Sequence, residues 1–389
     1  MSDVSLQILV QGTADWNQPI ATNQHYMVNE LSKEFSVTFV ESLGLRRPEL
    51  SVRDLRRALR RLRSASSIVL QRRAVPSGVR IVSPKVIPIH RSPWLRLNRL
   101  LLARAIHEWR NASSLRIHWS YSPVTYGFES GADVSVYHCV DLYAEFPGID
   151  RSVVFESEQR LARSGALAIG SSEIVVKHLT NQGFARVLYW PNVADVDRIK
   201  ASKPTDPANQ RSGVIFAGNL SDKKVDFDLL QHLVDKGVEL HLAGPVAEGG
   251  GNSQKRVNDL VAAGASYHGV LDLDDLAALM HSREVGLIPY RLNAYTAGVS
   301  PLKTFEYLAA GLAVVSTEIP AVVPIAEDVF VTNTKSEFEA ATQMLSVGVT
   351  SQDRERRVMI ADAHSWRERG QAARSLVKEL SRAIASSNG

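Results

Sequence analysis

The stretch GVIFAGNLSDKKVDFDLLQHLVDKGVELHLAG, residues 213–244, decides the fold. GVIFAG is a short apolar run closed by glycine and reads as a strand. DFDLLQHLVDKG spaces its apolar residues at helical intervals and ends on a glycine, so it reads as a helix. VELHLAG is a second strand. Strand, helix and strand with short joints make the unit of a parallel sheet covered by helices.

The same order extends both ways. Downstream, ASYHGV, VGLIPY and LAVVST read as strands, with LDDLAALMHSR and SPLKTFEYLAAG as helices. Upstream, SLQILVQG, SVTFVES, VSVYHCV and ALAIGSS read as strands, with HYMVNELSKEF, SVVFESEQRLARSG and SEIVVKHLTNQG as helices. Between the halves, residues 192–212 are rich in Pro, Asp, Asn and Ser and read as a linker. The expected division is a first domain over 1–193, a second over 194–365, and a polar helix over 366–389 returning to the first. Two open parallel sheets are expected to leave a cleft between their carboxyl edges, where ligands of such folds gather.

Composition sets outer limits. The chain has 389 residues, 44% of them hydrophobic, enough for two cores. Cys139 is the only cysteine, so no disulfide forms within the chain, which suits a reducing compartment. The amino-terminal stretch lacks the pattern of a secretory signal, and no uninterrupted apolar run is long enough to span a bilayer. The expected location is cytoplasmic.

Charge is uneven. Between Arg46 and Arg116 there are 17 Arg and one Lys against Glu49, Asp54 and Glu108, a net +15 that leaves −11 elsewhere. Such a block calls for an anionic partner or forms a solvated helix surface. SVRDLRRALRRLRS, residues 51–64, and WLRLNRLLLARAIHEWR, residues 94–110, both read as basic amphipathic helices. They fit an anionic membrane surface; nucleic acid is not expected, because no recognised fold or aromatic interleaving accompanies them.

SPLKTFEYLAAG, residues 300–311, holds the clearest candidate site. Ser300 suits the N-cap, Pro301 the first helical position and Gly311 the stop. Backbone N–H groups near Leu302 and Lys303, with the Lys303 ammonium, would face an anion. Glu306 shares a face with Lys303 and could accept hydroxyl hydrogen bonds. The plainer alternative is a helix-start glutamate paired with its lysine.

PLKTFEYLAAG, preceded by VGLIPYRLN, resembles the donor-site signature of bacterial GT-B-fold glycosyltransferases of the family-4-type group. WPNVADVD is similar to that family's linker motif, ESEQRLARSGALAIGSS to its Glu-rich helix and following strand, and HSW to the start of its returning helix. The resemblance covers roughly residues 5 to 380. It implies two Rossmann-like α/β domains and a nucleotide-sugar donor. Glu306 then resembles the residue on the ribose, while Lys303, Ser300 and Leu302 lie toward the diphosphate. Gly218 and Asn219 sit on the phosphate loop, Lys223 or Lys224 supplies a second cation, Val270 lies near the base, and Tyr290 packs on the nucleotide. Gly298 stands where the family often carries another Glu, which puts the donor sugar in question.

These groups suit glycosyl transfer. A departing nucleoside diphosphate gains charge, and fixed cations stabilise it. No metal is called for, and no cofactor besides the donor substrate. DLDD, residues 272–275, reads as an acidic helix start, and GGGN, residues 249–252, as a loop. On the acceptor side, Asp141 follows a strand and could orient a hydroxyl or act as base; it could equally cap the next turn. His25 opens a helix and faces the cleft or packs inside. His138 is expected on the opposite face of its strand from Asp141. The expected enzyme is a retaining glycosyltransferase acting at the inner membrane face on a lipid-linked or polysaccharide acceptor. The alternatives are a soluble small-molecule acceptor and a non-catalytic sugar-nucleotide binder.

Overall fold

A computed structural model of the chain describes residues 6–18, 20–45, 73–84, 86, 94–146, 148–203, 211–246, 253–325, 327–347 and 349–387. The chain divides into two compact units: Met1–Trp190 with Gly370–Gly389, and Pro191–Arg369.

The first unit holds β1 (Leu6–Gln11), β2 (Ser36–Val40), β3 (Val79–Val82), β4 (Leu115–Ser120), β5 (Val134–Cys139), β6 (Leu167–Gly170) and β7 (Val187–Tyr189). Their order across the sheet is β3-β2-β1-β4-β5-β6-β7, and every neighbouring pair is parallel. The second unit holds β8 (Val214–Ala217), β9 (Leu240–Ala243), β10 (Ser266–Tyr267), β11 (Val285–Ile288), β12 (Ala313–Thr317) and β13 (Val329–Thr332). Its order is β10-β9-β8-β11-β12-β13, again parallel throughout. Strand order reverses at β1/β4 in one sheet and at β8/β11 in the other. These reversals are where doubly wound sheets open a crevice at their carboxyl edge.

Parallel strands need crossovers, and helices on both faces bury the sheet. LAIG of β6, VIFA of β8, LHLA of β9 and VGLI of β11 are buried at every position. Short polar side chains begin the helices. Ser172 accepts from Val175 N–H, Asp226 from Leu229 N–H and Asp272 from Asp275 N–H. Each takes up a donor that a helix start leaves unmet. Asp272 therefore caps a helix in the acidic 272–275 turn.

The stretch read as a linker is structured in part. Residues Val196–Ala201 form a helix capped by Asp195, with Val196 and Ile199 buried in the second unit. Six residues are too few for a periodicity to stand out. The basic 51–64 segment and GGGN lie outside the described residues.

The Trp366–Ser387 helix belongs to the first unit from Gly370 onward. Gly370 allows it to lie against the Asn23–Leu31 helix: a Cβ there would stand 2.1 Å from Glu30 Oε2. Arg374 then reaches Glu30 at 2.6 Å and Glu34 at 3.0 Å, and Lys378 reaches Glu34 at 2.6 Å. Ala373, Leu376 and Val377 are buried on the same helix.

Candidate functional site

Three strand ends of the second unit meet through glycine. The N–H of Gly218, just past β8, donates to Ala243 O at 2.8 Å, and the N–H of Gly244, just past β9, donates to Gly269 O at 2.7 Å. Gly244 adopts φ +127°, and a Cβ on it would stand 2.1 Å from Gly218 O. Only glycine permits so close an approach. Gly244 was missed from sequence, although its run HLAG repeats the IFAG run that ends at Gly218. Asn219 is exposed beside this junction. Val270, 54% exposed, follows Gly269.

The Lys303–Ala309 helix is fixed to the same edge. The Tyr307 hydroxyl accepts the N–H of Ala217 at 2.9 Å, and its ring fills the space above Gly286, where a Cβ would stand 2.2 Å away. This places Lys303 Cε 3.6 Å from the position of a Cβ on Gly218. Lys303 Nζ in turn donates to Glu306 Oε2 at 2.7 Å. Both side chains are largely buried. The backbone N–H groups of Leu302 and Lys303 meet no acceptor among the described residues. The helix begins at Lys303, later than its sequence suggests, because Pro301 and Leu302 form a turn. Ser300 is therefore not the N-cap. Its Oγ accepts the N–H of Asn192 at 3.2 Å, and its carbonyl accepts Asn192 Nδ2 at 2.8 Å. Ser300 thus ties the WPN segment to the base of the helix.

Lys223 and Lys224 sit on a loop stitched to the segment after β11. Arg291 N–H donates to Lys224 O at 2.8 Å, and Asn293 Nδ2 donates to Lys223 O at 2.9 Å. Lys224 Nζ lies 4.5 Å above the Tyr290 ring, a cation–π contact. Tyr290 is 3% exposed and meets Phe216 edge-on. The reading of Tyr290 as a nucleotide stacking partner is corrected: its ring is a core element that positions Lys224. Gly298 ends the short Ala294–Ala297 helix, which Asn293 and Thr296 cap.

In the first unit, Asp141 follows β5 at the carboxyl edge and is half-buried. Its carbonyl accepts the Tyr143 N–H at 3.0 Å and the Cys139 thiol at 3.2 Å. The catalytic reading of His25 is corrected. Nδ1 accepts the Thr22 N–H at 3.0 Å, Nε2 lies 3.2 Å from Asp15 O, and the residue is 1% exposed. Burial, then the nearby Arg73 charge, lowers its pKa. The neutral ring closes a capping box and packs on Trp16. His138 stacks on Tyr121 at 4.8 Å, with Trp119 and Trp190 near 6 Å. This aromatic cluster gathers the ends of β4, β5 and β7, and no single spacing in the sequence marks it. Among the described residues, no cluster of three or more His, Cys, Asp or Glu could hold a metal ion.

Residues 211–347 match the family described as Glycosyl transferases group 1. That span contains Gly218, Gly244, Lys303 and Glu306. TuaH of Bacillus subtilis (strain 168), assigned by name as a teichuronic acid biosynthesis glycosyltransferase, is 25% identical over 207 residues. The alignment takes in 49% of this chain and 51% of TuaH, so the chain spans about half the length of that relative. HepE of Anabaena, solved in complex with UDP-glucose, superposes with a TM-score of 0.65 at 13% identity, covering 96% of this chain and 99% of that one. WaaG, a glycosyltransferase involved in lipopolysaccharide biosynthesis, superposes with a TM-score of 0.62 at 12% identity over 95% and 99% of the two chains. Residues 211–347 are thus similar to the glycosyl transferases group 1, and the two doubly wound units share the GT-B fold of these solved structures.

Proposed function

We propose that the protein transfers a sugar from a nucleotide-sugar donor to an acceptor hydroxyl, with the donor held by the second unit. The observation that carries this is the Lys303–Glu306 pair beside Gly218 at the end of β8. A diphosphate laid along the Gly218–Gly244 junction would meet little side-chain bulk. Lys303 and the two N–H groups would face its charge, and Glu306 would accept ribose hydroxyls once Lys303 turns to the phosphates. Lys223 and Lys224 are the second source of positive charge, and Val270 borders the base. The reaction is retaining and needs no metal: as the glycosidic bond to phosphate breaks, the charge on the leaving diphosphate is met by these cations. Asp141 orients the acceptor. The names of TuaH and WaaG support an acceptor of cell-surface polysaccharide or glycolipid synthesis, and the basic Arg46–Arg116 stretch supports meeting it at the inner face of an anionic membrane.

The test is Glu306→Ala, with UDP-glucose as the first donor screened and other nucleotide sugars after it. Affinity measured by titration calorimetry should fall at least tenfold, about 1.4 kcal/mol, the scale of losing charge-assisted hydrogen bonds. A folded variant with unchanged affinity would overturn the ribose assignment. Gly298 favours one second reading, a sugar-nucleotide binder without turnover. Hydrolysis of the bound donor in the absence of acceptor would exclude it.

A further inference from the structure

The Trp94–Ala105 helix buries one side and leaves the other uncovered. Asn98 and Leu102 are buried, four residues apart on the face turned to the first unit, and Ile106 and Trp109 continue that contact. Yet Trp94, Leu97 and Leu100 are 40%, 41% and 62% exposed. Leu97 and Leu100 are neighbours at i, i+3. Arg96, Leu100 and Arg104 follow one another at i, i+4, i+8, so an exposed leucine lies in a row between two exposed arginines. No acidic residue occurs from Trp94 to Ala105. The next one, Glu108, is engaged by Arg80. Arg99 is also exposed, but its guanidinium lies against Gly127 and helps seat the helix.

Core packing therefore does not account for the outer leucines, and solvation does not account for their company. Leucines flanked by arginines that form no ion pair among the described residues match an interface in which apolar side chains enter acyl chains while guanidiniums meet headgroup phosphates. A protein partner would need a groove shaped for this helix with acidic groups matched to both arginines, whereas an anionic bilayer meets the leucines and arginines together without such a fit.

We propose that this face docks on an anionic lipid bilayer, with Leu97 and Leu100 inserted at the headgroup boundary and Arg96 and Arg104 on the phosphates. The inference rests on the membrane location proposed above but not on the donor chemistry. It assigns that location to one face of one helix.

Flotation with vesicles of phosphatidylglycerol and phosphatidylcholine tests it on the full chain. Wild type should float at low salt, bind pure phosphatidylcholine far more weakly, and detach in part as salt rises. R96Q/R104Q should weaken binding to anionic vesicles at least tenfold. Leu97→Asn with Leu100→Asn should do the same and should remove the fraction retained at high salt. Leu100→Gln alone, with melting temperatures for all variants, guards against a folding defect. Nucleotide-sugar binding is measured in parallel, so failure of the donor reading stays separate from failure here. The proposal is overturned if wild type does not float at low salt, or if folded variants float as wild type does. It is also overturned if the leucine changes instead dissolve a dimer seen by light scattering, which would make the face a contact between copies.

Discussion

At Lys303 two demands compete for one ammonium. In the described structure it satisfies Glu306 at 2.7 Å. During reaction it would be drawn to a diphosphate whose charge is greatest as the bond to sugar breaks. Lys303→Ala should therefore lower kcat at least tenfold while changing KM less, because the lost interaction is strongest in the transition state. Steady-state kinetics decide the matter; an intact kcat would leave Lys303 a partner of Glu306 and nothing more. This pair was legible because i, i+3 spacing alone puts its members together. His25 misled for a related reason. A polar residue in a helix's first turn looks equally suited to a ligand and to a cap, and only the Thr22 and Asp15 distances separate the two. His118 gave no signal at all. It is fully buried on β4, with Nε2 3.2 Å from Gln11 Oε1 and Nδ1 lacking a partner among the described residues. Burial lowers its pKa from 6.5 to about 4, against a smaller opposing effect of Glu129. Between those values the unfolded chain binds the extra proton and the folded one does not. Stability should therefore fall as pH drops from 6.5 to 4, by roughly 3 kcal/mol over the window, with no further loss from this group below it. Urea midpoints across that range should show the slope in wild type and a flatter one in His118→Gln.

Among the elements, the strands were the easiest to read. Buried parallel strands are continuous apolar runs, and runs such as VIFA and VGLI admit few other readings. Helix starts were harder. The Lys303–Ala309 helix begins where Pro301 and Leu302 leave their turn, a boundary fixed by Asn192 binding Ser300 from far along the chain. The Trp366–Ser387 helix makes two kinds of ion pair with its own unit, and they should behave differently. Arg374 and Glu30 are mostly buried together, whereas Arg186 and Glu379 are largely exposed. Arg374→Ala should cost about 1–3 kcal/mol, since among the described residues Glu30 keeps only Lys33 as a charged partner. Arg186→Ala should cost under about 0.5 kcal/mol, as exposed pairs do. Chemical denaturation of the two variants, side by side, checks the contrast.

Taken as a whole, the molecule distributes its legibility unevenly. In the second unit much of the candidate site lies in one local helix motif, with Gly218 and Gly244 ending successive strands. The first unit assembles its carboxyl edge from β4, β5 and β7, so Tyr121, His138 and Trp190 meet only after the sheet has formed. It also carries most of the positive charge, much of it in the 46–72 segment outside the described residues. The first unit is discontinuous as well. Its two parts are separated by the 179 residues Pro191–Arg369. At about 5–20 residues per second, a ribosome takes roughly 10–35 s to cross that interval. Throughout it, Glu30 on the Asn23–Leu31 helix and Glu34 in the turn after it lack Arg374 and Lys378. The second unit, whose strands and core come from one uninterrupted stretch, can finish first. Protease challenge of stalled nascent chains should find residues 191–369 protected before the segment that precedes them, reversing the order in which the two units leave the ribosome.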